Sequence, residues 1–187
     1  MHESASRHFG TVVTLDASLE REFEERLLES SDLAVRVAYG VVRHQQDAEE
    51  VAQEAFAKAY ARFSQLRDRT RFRAWLVRMT WRLAIDRWRS DRRRHAREEA
   101  AFVPPPVATT EDVAARNERA NRLWQAIDSL PEKLRIVIVL AAIHGHDVRE
   151  VGRLLDLPKG TVKSRLFLAR KALAQRLQCL VPDTSTR

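Results

Sequence analysis

The stretch DVREVGRLLDLPKGTVKSRL, Asp147–Leu166, decides the fold of the second half of this chain. Asp147 and Glu150 stand three residues apart before an apolar pattern, which is the sequence pattern of a capping box at a helix start. The tripeptide Asp-Leu-Pro at 156–158 ends that helix, and a second helix is predicted from about 159 to 178. Two short helices joined by a tight turn predict a helix-turn-helix.

The second predicted helix has the composition of a surface that contacts DNA. It contains no acidic residue and six basic ones: Lys159, Lys163, Arg165, Arg170, Lys171 and Arg176. Apolar residues at helical spacing face inward and leave Lys163, Ser164 and Phe167 outward, near the end that a helix-turn-helix inserts into the major groove. Lysine and serine can hydrogen-bond to bases and phenylalanine can touch a thymine methyl, whereas Arg165 and Arg170 suit phosphate contacts. A solvated basic helix in an ordinary bundle is the alternative, but the capped helix and turn before it favour DNA binding.

The composition of the whole chain agrees with a helical protein that binds a polyanion. Few glycines and prolines among 187 residues, with 44% hydrophobic residues, are typical of a helix-rich globular chain. The net charge of +7 favours nucleic acid or an anionic membrane surface as partner. The single cysteine, Cys179, excludes an intramolecular disulfide. Because no apolar run approaches about 20 residues and no secretion signal is present, we expect a cytoplasmic protein without membrane insertion.

The chain is predicted to be all-α, with two small helical domains joined by a linker. Pro104–Pro106 cannot lie inside a helix, and consecutive prolines favour an extended spacer, so the domain boundary is expected around them. The predicted divisions are a mobile arm at 1–18, a first domain at 19–97, a linker at 98–118, a second domain at 119–180 and a tail at 181–187.

In the first half, caps and apolar spacing predict the helix boundaries. Asp47 is expected to cap a helix, with Glu50 completing a capping box, and residues 64–70 are predicted to form a connector before a long helix over 71–94. The helix that begins at Asp47 also carries an acidic patch, formed by Asp47, Glu49, Glu50 and Glu54. Because DNA would repel this patch, it indicates either a protein partner or stabilisation of the helix dipole, and the spacing leaves both open.

In the second half, Pro131 fits the first position of a helix and Gly145 suits its C-terminal cap. The β-branched run 136–140 is also compatible with a strand. The segment between the proline and the glycine is long enough for three helical turns, which favours a helix.

The helix predicted over 71–94 combines a ridge of arginines with aromatic residues. On a helical wheel, five arginines fall within a narrow sector and define this arginine ridge: Arg71, Arg78, Arg82, Arg89 and Arg93. Such an edge can follow a phosphate backbone while nearby aromatic rings stack on exposed bases. A solvated face is the alternative, but five arginines on one face exceed what solubility requires. Trp75 and Trp81 are predicted to lie in the core, with Trp88 more open.

Several of these stretches resemble conserved regions of bacterial sigma factors. Those similar to region 2 are DAEEVAQEAF (47–56), FRAWL (72–76) and LAIDRWR (83–89), and those similar to region 4 are LPEKLR (130–135) and LPKGTVKSRL (157–166). The two-domain layout with a short proline-containing linker resembles the extracytoplasmic-function subfamily. The resemblance implies a protein that binds core RNA polymerase and promoter DNA, without catalytic residues, a cofactor or a metal, and we expect an anti-sigma partner.

The resemblance also implies roles for the matching positions. Docking on the polymerase is implied for Asp47, Glu50, Gln53 and Glu54. Contact with the melted minus-ten element is implied for Leu66, Arg67, Asp68, Arg69, Thr70, Arg78, Arg82, Ile85 and Arg89. Contact with the minus-thirty-five element is implied for Thr161, Lys163, Ser164, Arg165, Phe167 and Arg170. A flipped minus-ten base loses a few kcal/mol of stacking, which binding to the connector would offset and so favour the open promoter.

Three positions depart from the family pattern. Leu168 stands where a basic residue is frequent, so one DNA contact differs. Arg82 stands where asparagine is frequent, which bears on the minus-ten preference. Asp156 replaces the usual turn glycine, but aspartate tolerates the left-handed conformation, so the turn is expected to form.

Two other functions fit parts of the sequence. A dimeric helix-turn-helix repressor or activator would explain the second half, but not the acidic patch followed by the arginine ridge. An enzyme would need more than His144 and His146, which lie two residues apart without a nearby third ligand. No nucleophile elbow, phosphate loop or metalloprotease motif is present.

Overall fold

Helices form the regular structure of the described chain, as the composition predicts. The computed structural model describes residues 15–98 and 111–179, with side chains over 15–94 and 118–178, and these ranges contain no strand. In chain order the helices are α1 (Ala17–Leu28), α2 (Ser31–Val42), α3 (Gln45–Arg62), α4 (Phe72–Glu98), α5 (Glu111–Asp128), α6 (Glu132–Ile138), α7 (Val148–Leu155) and α8 (Lys159–Cys179). The all-α prediction is confirmed. Most of the predicted arm, Pro104–Pro106 and the tail lie outside the described residues.

The start of α3 differs from the prediction. The expected cap at Asp47 is wrong, because α3 begins at Gln45 with His44 as its extended N-cap residue. Arg43 ends α2 in the left-handed conformation, at φ 59°, so the chain turns at once and α3 starts earlier. Asp47 lies instead in the first turn of α3, where a negative charge suits the helix dipole.

Four aromatic rings anchor the connector of the first half. Phe23 of α1 meets three rings edge-on at centroid distances of 5.2, 5.3 and 5.7 Å, those of Tyr60, Phe63 and Phe72. Phe63 and Phe72 also contact each other at 5.6 Å, and both are buried. Edge contacts of this kind contribute about 0.5–1.5 kcal/mol each. Because Phe63 and Phe72 flank the connector, 64–70, the cluster fixes both of its ends.

The helix-turn-helix forms where the sequence predicts it. The Asp147 carboxylate accepts backbone N–H bonds from the residues two and three positions later, at 2.6 and 2.8 Å, so the predicted cap of α7 is confirmed. Asp156 ends α7 in the left-handed conformation, at φ 57°. A Cβ atom at Gly152 would lie 2.9 Å from the carbonyl oxygen of Leu157, which explains a glycine where the turn folds back on α7.

The β-branched run before this motif is helical, as predicted. Pro131 is the N-cap residue of α6, one position before the place predicted for it. After α6 a π-helical turn, Val139–Ile143, continues the chain, and Gly145 follows at φ 72°, a conformation that glycine favours after a helix end. α5 begins at Glu111, within the segment predicted as linker, so the helical part of the second half starts earlier than predicted.

The two halves pack against each other through α2, α4, α7 and the π-helical turn. Buried residues from both halves form one apolar cluster, which includes Trp81 of α4 together with Ile136 and Val151. At Gly40 of α2, an added Cβ would lie 2.8 Å from Cγ1 of Val139. The glycine therefore permits a close approach of α2 to the π-helical turn, and the second half covers part of α4.

Candidate nucleic-acid and polymerase interfaces

The arginine side of α4 faces acidic residues of the second half. Ion pairs join three arginines on α4 or just before it to the second half: Arg71 with Asp156 at 3.3 Å, Arg73 with Glu150 at 3.2 Å and Arg89 with Glu132 at 3.2 Å. All six side chains keep between 29% and 62% of their surface exposed, so each pair contributes at most about 1 kcal/mol. Carboxylates therefore occupy part of the surface that the sequence assigns to a phosphate backbone.

The middle of the arginine ridge borders a cavity of about 350 Å³ between the halves. Arg78 and Arg82 line it and form no ion pair with any other residue in the described part of the chain. Trp81 also lines it, with 2% of its surface exposed and its indole Nε1 buried without a hydrogen-bond partner. The second half contributes Glu132, Lys133, Ile136, Leu155, Leu157 and Arg165.

Ile85 does not lie on this surface. It is 1% exposed and belongs to the core, because it falls on the apolar flank of α4 beside Trp81 rather than on the ridge. Trp81 is buried as predicted, whereas Trp75 is half-buried and only partly fits the prediction. Trp88 is half-buried beneath the guanidinium of Arg135, 4.8 Å from the ring centre, and burial lowers the pKa of Arg135.

Two connector residues turn toward their own half. The guanidinium of Arg69 donates to Glu22 of α1 at 2.9 Å and lies 5.5 Å over the ring of Phe63. Leu66 is half-buried against the aromatic cluster. These two predicted minus-ten residues therefore stabilise the connector in this structure and offer little surface to a ligand.

The other three predicted minus-ten residues of the connector, Arg67, Asp68 and Thr70, are exposed. Asp68 accepts hydrogen bonds from the Thr70 hydroxyl at 2.5 Å and the Thr70 backbone N–H at 3.1 Å. The Thr70 hydroxyl is the main cause that holds the pKa of the Asp68 carboxyl below its ordinary value. Arg67 points to solvent beside them. Arg67, Asp68 and Thr70 therefore form the exposed surface of the connector, with Thr70 bonded to Asp68.

The acidic patch lies on α3, where Asp47, Glu50 and Glu54 share one face. Arg87 of α4 donates to Asp47 at 3.1 Å and to Glu50 at 3.3 Å. The sequence analysis did not single out Arg87, because about 40 residues separate it from the patch and no local spacing links them. Gln53 and Glu54 are exposed. Lys58 pairs with Glu54 at 2.6 Å, so Arg87 and Lys58 neutralise part of the patch, while polar and acidic groups remain at the surface.

The predicted minus-thirty-five residues on α8 divide into two groups. Four are exposed: Lys163, Ser164, Phe167 and Arg170. Phe167 keeps 67% of its surface exposed, and the inward stripe of the helix is buried, as predicted. Thr161 and Arg165 are half-buried, and Arg165 lines the cavity against α4.

The histidines near Gly145 have separate surroundings. Within residues 15–98 and 111–179, no three potential ligands come together to hold a metal ion. The His146 Nδ1 lies 3.0 Å from the carboxylate of Glu150. His144 is largely buried near Gly40, and burial lowers its pKa to about 4, with smaller contributions from the charges of His146 and Arg36.

Comparison with known proteins accounts for both halves. The chain matches the Sigma-70 region 2 family over residues 27–94 and the Sigma-70, region 4 family over residues 120–173. It is 33% identical to the ECF RNA polymerase sigma factor SigW of Bacillus subtilis over 165 residues, which cover 80% of this chain and 85% of that protein. The chain belongs to the extracytoplasmic-function sigma factors. This sigma factor directs RNA polymerase to promoters, as the resemblance implied, and its family consists of non-enzymatic initiation factors.

Other relatives agree. The ECF RNA polymerase sigma-E factor of Escherichia coli is 30% identical over 145 residues, which cover 72% of this sigma factor and 76% of that protein. The structure of CnrH in complex with the cytosolic domain of CnrY is similar at 27% identity and a TM-score of 0.57, over 86% of this chain and 90% of that one. No helix in the described ranges is both long enough and apolar enough to cross a membrane.

Proposed function

We propose that this sigma factor docks on core RNA polymerase through α3, holds the melted minus-ten element along the connector and α4, and reads the duplex minus-thirty-five element with α8. The observation that carries the proposal is the separation of charge. Basic surfaces lie on α4 and α8, in different halves, whereas the acidic patch lies on α3. A chain that binds two DNA elements and one protein needs such an arrangement, because DNA repels the acidic patch.

The minus-thirty-five contact uses the exposed side of α8. Lys163, Ser164 and Phe167 are exposed. Lysine and serine can hydrogen-bond to base edges, and phenylalanine can contact a thymine methyl. Arg170, exposed one helical turn later, is suited to a phosphate. No other described residue forms an ion pair with these basic groups, so duplex DNA meets them without displacing a carboxylate.

The minus-ten contact uses the arginine ridge after the halves move apart. Arg78 and Arg82 line the cavity between the halves, and Arg89 pairs with Glu132. A DNA strand along the ridge exchanges that carboxylate for a phosphate. Because an exposed pair contributes at most about 1 kcal/mol, the exchange costs little. Arg67 and Thr70 lie where the connector can hold a flipped base, and that contact offsets lost stacking and favours strand separation.

Polymerase docking uses the acidic patch. Glu54 and Gln53 are exposed on α3, one turn after Glu50. Arg87 holds the Asp47 carboxylate in place from α4, so the patch is ordered before it meets a partner. A basic surface on the polymerase is the complementary partner.

We also propose an anti-sigma partner for this chain. One observation supports it: CnrH, a structural relative at 27% identity, is solved in complex with the cytosolic domain of CnrY. Without such a partner, the exposed surfaces of the two halves would compete freely for polymerase. Purification of the tagged chain from its native host should recover a second small protein besides polymerase. Recovery of polymerase alone would contradict this part of the proposal.

Run-off transcription with purified core polymerase on fragments of the host genome tests the main proposal. We expect defined transcripts only when the chain is added, and their start sites give the promoter motif. Lys163→Ala should lower initiation at those promoters, and Glu54→Lys should lower binding to core polymerase without changing DNA sequence preference. If no transcript forms and the protein alone shifts a specific duplex, a conventional helix-turn-helix regulator replaces the sigma factor.

A further inference from the structure

Two neighbouring apolar side chains stand out on α8. Phe167 is 67% exposed and Leu168 is 51% exposed, on a helix whose other exposed residues are largely basic or small. The buried residues Val162, Leu166 and Ala169 fix the orientation of the helix, so neither exposed side chain can turn into the core without rotating α8. No packing requirement within the described structure explains an exposed leucine at this position.

Position 168 lies on the face of α8 that the proposed function assigns to DNA. Leu168 follows Ser164 by four residues, so the two side chains lie one turn apart on the same side of the helix. The exposed Lys163 and Phe167 are related in the same way. The four side chains therefore form one surface, with polar groups toward the N-terminal end and apolar groups one turn later.

The chemistry of the major groove limits what Leu168 can recognise. A leucine side chain neither donates nor accepts a hydrogen bond, so it cannot read the oxygen and nitrogen atoms on base edges. The apolar feature that the major groove presents is the 5-methyl group of thymine. The basic residues around Leu168, among them Lys163 and Lys171, supply the attraction that brings this surface to a duplex.

We propose that Leu168 is a specificity-determining residue that reads a thymine methyl next to the one reached by Phe167, so that this sigma factor prefers thymine at one further position of its upstream element. The inference rests on the proposed contact of α8 with duplex DNA. It adds a residue and a base preference to that contact.

The first experiment compares promoter motifs. Promoter libraries randomised in the upstream element are transcribed with core polymerase and the full chain, either wild type or Leu168→Ala. We expect wild type to prefer thymine at one position of the upstream element and Leu168→Ala to show no base preference there. The preferences at the other positions should not change. Because Leu168 is half exposed, the alanine variant should fold, and an unchanged circular dichroism spectrum checks this.

The second experiment removes only the methyl group. Deoxyuridine replaces thymidine at the identified position, which deletes the 5-methyl and leaves the hydrogen-bonding edge intact. We expect about a fourfold loss of initiation by wild type, the fold-change that corresponds to one buried methyl-sized group. Leu168→Ala should not distinguish the two templates, and Leu168→Met, which stays apolar, should keep most of the discrimination. Lys171→Ala is the matched control, since loss of one exposed charge should weaken both templates equally.

The outcomes separate this inference from the function on which it rests. If wild type initiates at a defined motif but treats thymidine and deoxyuridine alike at every upstream position, the inference is wrong and the sigma function stands. The inference is also wrong if Leu168→Ala keeps the thymine preference. Failure of wild type to initiate anywhere overturns both.

Discussion

α4 and α8 are both basic helices, yet the structure surrounds them differently. On α4, Arg73 and Arg89 meet carboxylates from the other half at 3.2 Å, and the second half covers the cavity between them. On α8, Lys163 and Lys171 form no ion pair with any residue in the described ranges, and both are exposed. Positive charge alone therefore does not decide which surface is ready for DNA. The packing of the halves decides it, and α8 is the surface already open.

The turn between α7 and α8 sets the orientation of α8 and its exposed surface. Gly152→Val should disrupt this turn and have the largest effect among the variants proposed. A Cβ at this position would lie 2.9 Å from the Leu157 carbonyl oxygen, and backbone cannot yield as a side chain does. We expect a loss of about 1–3 kcal/mol in the free energy of unfolding, by urea denaturation, and loss of upstream-element recognition.

Gly160→Ala is the control for Gly152→Val. An added Cβ at Gly160 would meet nothing within 4 Å, and the position lies inside the start of α8. Alanine should therefore stabilise the protein by about 0.5–1 kcal/mol. An unchanged urea midpoint for Gly152→Val would mean that the turn is looser than its geometry indicates.

The second half covers α4 partly because α2 approaches the π-helical turn closely at Gly40. Gly40→Leu tests whether this approach keeps the two halves together. The Cβ would lie 2.8 Å from Cγ1 of Val139 and 3.2 Å from Nε2 of His144, both in the second half. We expect a loss of about 1–3 kcal/mol in the contact between the halves, although leucine favours the helix that contains it. Small-angle scattering should give a larger radius of gyration, with helical content unchanged.

A smaller side chain at position 40 should separate the halves less. Gly40→Ala adds only the Cβ atom and should increase the radius of gyration less than Gly40→Leu does. Identical scattering curves for wild type and both variants would show that, in solution, the contact between the halves does not require the close approach at Gly40.

The sequence predicted the local features of these helices but not their contacts with distant segments. Asp147 and Asp156 define α7 and its turn through local rules, because a cap and a left-handed residue act within a few positions. The arginine ridge was likewise visible from helical spacing. The carboxylates that face α4 were not predictable, since Glu132 lies 43 residues from Arg89 and Glu150 lies 77 residues from Arg73, and no periodicity links these pairs.

Two smaller predictions differ from the structure. Ile85 was assigned to the DNA surface by resemblance, but it lies on the apolar flank of α4 beside Trp81 and belongs to the core. α3 begins after His44 because Arg43 ends α2 in the left-handed conformation. The Arg43 guanidinium also pairs with Asp128 from the second half, a contact that a single sequence does not record.

The ion pairs across the halves should contribute less than the apolar contact. Arg73 and Glu150 form an ion pair at 3.2 Å. Arg73→Glu or Glu150→Arg alone replaces this pair with two like charges, whereas the double variant restores two opposite charges. We expect a coupling free energy of up to about 1 kcal/mol in low salt and less in 0.5 M NaCl, measured as a double-mutant cycle. Lys171→Glu combined with Glu150→Arg should show no coupling, since Lys171 on α8 has no partner within the described ranges. Equal coupling in both cycles would mean that net charge, rather than this contact, sets the effect.

The smallest expected effect comes from two carboxylates, Asp147 at the start of α7 and Asp68 in the connector before α4. Backbone N–H groups of Glu150 and Arg149 hold the pKa of Asp147 below its ordinary value of 3.8, and the Thr70 hydroxyl chiefly does the same for Asp68 before α4. Because each folded pKa is lowered, the stabilisation is fully present above the unfolded value and is lost as the pH falls through the folded value.

Asp147→Asn and Asp68→Asn keep an acceptor oxygen and remove the charge. We expect each variant to melt below wild type at pH 7, with the gap in thermal midpoint closing as the pH falls below 3.8. A gap that stays constant down to pH 3 would show that the carboxylate charge contributes nothing beyond the hydrogen bonds. If the gap closes for Asp147 but not for Asp68, charge stabilises the entrance to α7 and the turn that orients α8, whereas the connector before α4 is held by its aromatic cluster.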